Sequence, residues 1–367
     1  MPLTNDKLHR LIGERIRMAR EAKSWTQENL AEAMGITDRQ TISTIEGGGR
    51  KVAADEMIRF IDVLGRPLNY FTDPHLLVEE NAFSYRARRD ETDTETFEKQ
   101  SKKLIEANRR LRALLGEAPP PTFSGLRGLT KASNIEYAEM VGYRFFANWD
   151  LGDPPAKKLR QAITERHQVL ILEVDAPDGI SGAACHLIDG DVILLNRNEP
   201  SYRRNYTLGH EFFHLLTWQD MPPARVDLDA SDKKTKVEQL ADAFTANLLV
   251  PSTLLKRAWD KTEGSSRERV LQVAKHFDVS GITAYWRLVN CHHLKDANQS
   301  VLKSGLSRTD ERQVAPPRFE KNFIRRFHRA IDDGRMTANA AAELLELPRE
   351  ELISVFSEHG FSDPINA

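Results

Sequence analysis

The sequence predicts an α+β chain that is mostly α, with one small β-sheet set between helical regions. Apolar residues recur at helix spacing through most of the 367 residues. Between 169 and 196 that period gives way to short β-branched runs. Proline and charge-rich breaks then divide the chain into four expected segments, 1–75, 76–128, 129–295 and 296–367.

In the first segment Leu8, Ile12, Ile16 and Ala19 share one helix face, and Leu30, Ala31 and Met34 follow Trp25-Thr26-Gln27. Thr26 reads as an N-cap, Gly35 as a turn between two helices, and Met57, Ile58, Ile61 and Leu64 as a further stripe. From Leu76 to Leu115 the chain is charge-rich, with Leu104, Ile105, Leu111 and Leu115 marking one or two helices or a linker; Gly116 and Pro119-Pro120-Pro121 break it.

Helical spacing resumes through Ile135 to Phe146 and Leu159 to Ile163. Strands are expected at Val169–Leu172, Ala183–Leu187 and Val192–Leu195, the last two joined by Asp189-Gly190, a hairpin turn signal. A helix around 207–216, a charged loop with Pro222-Pro223, and a helix near 234–250 stopped by Pro251 come next. Further helices are expected near 252–260, 266–276, 281–289, 319–333, 337–346 and 348–358. The stretch Gly334-Arg335-Met336-Thr337 to Leu347 has a helix-turn-helix flavour, and we read it as a packing or dimerisation bundle in preference to a second DNA-reading unit.

Hydrophobic residues at 40% and charged residues at 29% are ordinary for a soluble protein, and a net charge of −2 advertises no polyanionic partner for the chain as a whole. Two cysteines, Cys185 and Cys291, make no disulfide framework and suit a reducing cytosol. No signal peptide or membrane-spanning run is expected, which predicts a cytoplasmic protein.

The stretch Thr207-Leu208-Gly209-His210-Glu211-Phe212-Phe213-His214 carries the chemistry. Histidines four apart lie on one helix face, so both imidazoles can reach one metal ion, and Glu211 stands beside them to take a proton from water. A catalytic zinc takes three protein ligands, and Glu238 on a later helix can be the third. Asp242, one turn on, can accept a hydrogen bond from a ligand histidine's second N–H. The inert reading of His210, His214, Glu238 and Asp242 is a set of ordinary polar residues.

The segment Tyr206 to Trp218, then Glu238-x-x-Ala241-x-x-Phe244 and Leu248-Leu249-Val250-Pro251, resembles the ImmA/IrrE family of metallopeptidases over about 130–290. The resemblance implies a zincin-like domain with His210, His214 and Glu238 as ligands of zinc, or of manganese, and Glu211 as general base of peptide hydrolysis. Phe213, Leu240 and Val250 depart from common family residues at positions that are not ligands. His186, Tyr202, Arg203, Arg204 and Tyr206 remain candidates to stabilise the oxyanion.

Leu30 to Thr37 followed by Asp38-Arg39-Gln40-Thr41-Ile42-Ser43-Thr44-Ile45-Glu46 resembles the helix-turn-helix of Xre-family regulators. The resemblance implies a five-helix N-terminal domain that binds operator DNA as a homodimer. Arg39, Gln40, Thr41 and Thr44 would face the major groove and Gln27 a phosphate. Residues 1–75 hold 11 Lys/Arg and 11 Asp/Glu, so non-specific affinity is expected to be modest. The turn is one residue longer than usual around Asp38.

Together these readings predict a DNA-binding regulator carrying a zinc peptidase that cuts a helix-turn-helix repressor, or its own chain within 76–128, to control stress or mobile-element genes. The rival readings are a non-proteolytic regulator or antitoxin whose peptidase-like domain senses a ligand or partner, and a peptidase whose N-terminal module only docks its substrate.

Overall fold

The structure is a computed structural model that describes residues 5–77, 86–87, 91–118, 120, 125–126, 128–187, 190–221, 226–227, 234–294, 305–306 and 315–363. Its elements run α1 (Asn5–Ala22), α2 (Gln27–Ala33), α3 (Arg39–Glu46), α4 (Ala54–Leu64), α5 (Leu68–Thr72), β1 (Arg86–Ala87), α6 (Glu91–Leu115), α7 (Ile135–Trp149) and α8 (Ala156–His167). After these come β2 (Leu170–Val174), β3 (Gly182–Cys185), β4 (Val192–Asn196), α9 (Ser201–Leu216), β5 (Val226–Asp227) and α10 (Lys236–Leu249). The chain continues through α11 (Ser252–Asp260), α12 (Ser266–Phe277), α13 (Gly281–Asn290), α14 (Lys321–Asp332), α15 (Ala338–Leu345) and α16 (Arg349–Glu358). The mostly helical α+β class holds. Asp189, Pro119, Pro121, Pro222 and Pro223, whose turn and break roles the sequence suggested, lie outside the described residues, as does part of 76–128.

The chain divides into two compact units. One holds residues 1–79 with 106–117. Its core is Ile16, Leu30, Ile42, Ile45, Phe60 and Phe71, all fully buried. Gly13 lets α1 lie against the end of α3, because a Cβ there would sit 2.1 Å from the Ile45 carbonyl oxygen. The C-terminal part of α6 joins this unit through polar bonds: Glu106 accepts from the Leu77 N–H at 2.8 Å, and Arg110 pairs with Asp73 at 2.5 Å.

The second unit comprises residues 80–105 and 118–367. Its sheet has the order β2-β4-β3, with β2 parallel and β3 antiparallel to β4. The β3–β4 pairing is the hairpin the sequence suggested. The parallel β2–β4 pair is longer-range: β4 comes to lie beside β2 only after the chain has passed through β3 at the far side of the sheet. The two-residue pair β1–β5 had no sequence signal at all. Below the sheet, Phe145 of α7 meets Phe212 of α9 and Phe244 of α10 edge-on at 5.8 and 5.6 Å, and Phe213 meets Phe244 at 5.5 Å. Such pairs add about 0.5–1.5 kcal/mol each beyond their burial, so three helices are locked at one point. Glycines let their backbones close in. A Cβ on Gly142 of α7 would lie 2.2 Å from the Phe244 carbonyl oxygen, and one on Gly209 of α9 would lie 2.9 Å from Thr245 of α10. Helices α14 to α16 bury Phe323, Phe327 and Phe356. Among the described residues no helix is long and apolar enough to cross a membrane.

Candidate metal centre and nucleic-acid interface

Helix α9 presents His210 and His214 on the face turned to α10, with their ring centroids 4.9 Å apart. Apolar Leu208, Phe212, Phe213, Leu215 and Leu216 fill the rest of the helix surface and are buried, so the imidazoles have little room to swing. On α10, Thr235 is the N-cap and accepts from the Glu238 N–H at 3.4 Å. This cap fixes Glu238 in the first turn, where the positive end of the helix dipole favours a carboxylate.

The two helices bring the predicted ligands together. His210 Nε2 lies 3.0 Å from Glu238 Oε2, and His214 Nε2 lies 3.4 Å from Glu238 Oε1. One donor atom from each of His210, His214 and Glu238 falls within 4.8 Å of the others. His214 and Glu238 are buried, and so is Glu211 at 8% exposure. The set fits a divalent cation by its chemistry: two imidazole nitrogens and one carboxylate converge out of bulk water.

Asp242 lies behind His210, its Oδ1 3.3 Å from Nδ1. With Nδ1–H given to Asp242, His210 presents the Nε2 lone pair toward Glu238. Asp242 is also the meeting point of two residues whose roles the sequence did not suggest. The Tyr206 hydroxyl donates to Oδ1 at 3.1 Å, and Lys234 Nζ donates to Oδ2 at 2.5 Å. Burial alone would raise the Asp242 pKa, but the bonds from His210 and Lys234 outweigh it and hold the carboxyl well below the usual range. Tyr206 stands four residues before His210, a spacing that could have flagged it; Lys234 precedes its helix and carries no such signal.

The remaining oxyanion candidates are engaged elsewhere. His186 Nδ1 meets Asp191 at 2.7 Å, Arg203 pairs with Glu199 at 3.2 Å, and Arg204 donates to the Glu199 carbonyl at 2.5 Å. Tyr202 lines a cleft beside Asp242. Cys185 is fully buried on β3, and burial pushes its thiol well up, so it stays protonated.

In the N-terminal unit Thr26 caps α2 with Asn29 in a reciprocal capping box, and Asp38 caps α3 by accepting from the Gln40 N–H at 2.9 Å. The extra turn residue is therefore the cap of α3. Leu30, Ala31, Ile42 and Ile45 are buried between the helices, while Ile36 is half-buried. Arg39 and Gln40 are exposed, and Thr41 and Thr44 are half-buried. The Thr44 hydroxyl donates back to the Gln40 carbonyl at 2.8 Å. Gln27, expected at a phosphate, donates its amide to Glu46 at 2.8 Å. Glu46 is already held by Arg20 Nε at 2.7 Å and Nη2 at 3.1 Å, so Gln27 completes a network that ties α1, α2 and α3 together.

Residues 16–71 match the helix-turn-helix family, and residues 164–289 match the IrrE N-terminal-like domain of peptidase family M78. No curated protein matches the chain. Among solved structures, a bacterial peptide pheromone/receptor complex aligns over 96% of this chain and 99% of its own at 10% identity and a TM-score of 0.17. PrgX aligns over 96% of each chain at 11% identity and a TM-score of 0.16. Overlap that slight says nothing about fold or function.

Proposed function

We propose that this chain, a helix-turn-helix module joined to an IrrE N-terminal-like peptidase domain, is a DNA-binding regulator that hydrolyses a peptide bond in a helix-turn-helix repressor or in its own chain. The convergence of His210, His214 and Glu238 within 4.8 Å on two core helices carries the reading. His210, His214 and Glu238 would hold a zinc ion, or a manganese ion, and the bound metal would supply Lewis acidity toward a carbonyl and a water molecule. Glu211 follows His210 directly on α9 and is buried. Its carboxylate takes the proton of the attacking water and returns it to the departing amine nitrogen. Asp242 orients His210 for this work, and Tyr206 and Lys234 hold Asp242. At the other end, exposed Arg39 offers a pair of donors suited to a guanine edge and exposed Gln40 a donor and an acceptor suited to an adenine edge, and Thr41 and Thr44 lie along the same helix. On this reading the module binds a pseudo-palindromic operator as a homodimer, one copy to each half-site.

The test uses the purified full chain with zinc, its own promoter DNA and a helix-turn-helix repressor as substrate. Intact-mass measurement is expected to show zinc-dependent cleavage of the repressor or of the chain, abolished in Glu211→Gln, with promoter footprints unchanged. Cleavage that survives Glu211→Gln would sink the proteolytic reading. Zinc binding without any cleavage would favour a regulator whose peptidase fold only senses or binds.

A further inference from the structure

A cleft of about 860 Å³ opens beside the metal centre, bounded by α7, α9, α10 and α13 of the second unit. None of His210, Glu211, His214 or Glu238 lines it; its nearest approach to them is Asp242 and Tyr206. Its volume falls in the range of small-molecule sites. One wall is apolar and open to solvent: Ile282 is 56% and Trp286 47% exposed, two of the few large hydrophobic side chains so displayed. They stand four apart on α13 and so form one patch. At the rim are two cations with more than half of their side-chain surface exposed, Arg203 at 62%, which pairs with Glu199 at 3.2 Å, and Lys234 at 56%, which holds Asp242 at 2.5 Å; each keeps further donors for an incoming anion. The two acidic residues of the lining are already committed, Glu139 to Arg287 at 3.6 Å and Asp242 to His210, Tyr206 and Lys234. An apolar wall faced by exposed cations is complementary to a molecule with a flat apolar body and one anionic group.

We infer that this cleft binds a small anionic amphiphile and that its occupancy is felt at His210 through Asp242. The coupling follows from the shared carboxylate. Lys234 and His210 donate to opposite oxygens of Asp242. An anion seated at the rim draws Lys234 toward itself, which leaves more of the Asp242 charge to the His210 N–H. His210 then becomes a stronger donor at Nε2, and the metal is held more tightly. By linkage the metal strengthens the amphiphile's binding by the same factor. The inference rests on the proposed metal centre but not on proteolysis.

The probe is 8-anilinonaphthalene-1-sulfonate, with N-phenyl-1-naphthylamine, which lacks the sulfonate, as the uncharged control. Both are titrated by fluorescence into the zinc-loaded full chain. Saturable binding of the sulfonate is expected, about tenfold weaker in Trp286→Ala from the lost apolar contact and clearly weaker in Lys234→Met. Ile282→Ala is a second, milder variant of the same wall. Zinc affinity, read by chelator competition, should rise about fivefold or more at saturating probe, and this rise should vanish in Asp242→Asn while probe binding remains. Equal affinity for the uncharged control, or binding unchanged in both Trp286→Ala and Ile282→Ala, would overturn the site. Zinc affinity indifferent to the probe would overturn the coupling. A chain that passes these arms but cuts nothing refutes the peptidase reading and leaves this one standing.

Discussion

Helix α3 and the α9–α10 pair solve opposite problems with the same secondary structure. On α3 the candidate DNA-reading residues Arg39 and Gln40 point into solvent, and only Ile42, Ile45 and Glu46 are buried. On α9 and α10 the candidate chemical groups point inward, so His214, Glu211 and Glu238 share the core with Phe212, Phe213 and Phe244. A reader of DNA must leave its donors hydrated until a base edge replaces the water. A metal centre must pre-align its donors, since their attraction for the cation grows as water is excluded. The lesson is that function costs little structure at one end of this chain and is built into the packing at the other.

The largest effect expected from that contrast is chemical. Glu211→Gln should lower the cleavage rate by about 10²–10⁴-fold while leaving the thermal unfolding and operator affinity of the chain unchanged; a parallel loss of DNA binding would mean the two ends are not separable. Next comes packing. Gly142→Ala drives a methyl into the Phe244 backbone and should cost about 3 kcal/mol in denaturant unfolding, with zinc affinity falling as α10 shifts. If zinc binding is untouched, the core does not set the donor geometry. Asp242→Asn should weaken zinc about 10–100-fold with little change in stability, as read by chelator competition. Gln40→Ala, on the exposed helix, should lose about 1–2 kcal/mol of specific DNA affinity and leave both stability and zinc binding alone.

The smallest effect is a pH test of the N-terminal unit. Burial would raise the Glu56 carboxyl, but the Ala53 N–H at 2.9 Å and the Arg50 guanidinium at 2.9 Å hold it below its ordinary value. A depressed acid stabilises the fold fully above its unfolded pKa and loses that contribution as pH falls through the folded one. Glu56→Gln should therefore cost about 1 kcal/mol near neutrality and nothing in strong acid. A cost independent of pH would assign the effect to shape instead of charge.

The donor set was legible because helix periodicity alone puts His210 over His214, and because Glu238 and Asp242 repeat the same four-residue step on a helix ended by Pro251. The element order was legible for the same reason, one local period after another. What escaped was long-range. Nothing local says that β2 runs parallel to β4 or that the last turns of α6 pack with the N-terminal unit. The Gln27 position suits a phosphate, and nothing local shows that the Glu46 carboxylate on the next helix also takes its amide. Tyr206 shares a helix step with His210, but its bond to Asp242 forms only where α9 lies beside α10, and Lys234, just before α10, carries no periodic signal of its own.

The layering of α3 has a consequence for how such a protein can diversify. Its inward residues Ile42 and Ile45 are fully buried and set the helix in place, while the Arg39 and Gln40 side chains are exposed. Substitutions at the outer positions can alter what the module reads while leaving the packing of the second unit untouched. On the proposed reading, operator choice and cleavage specificity can then change independently of one another.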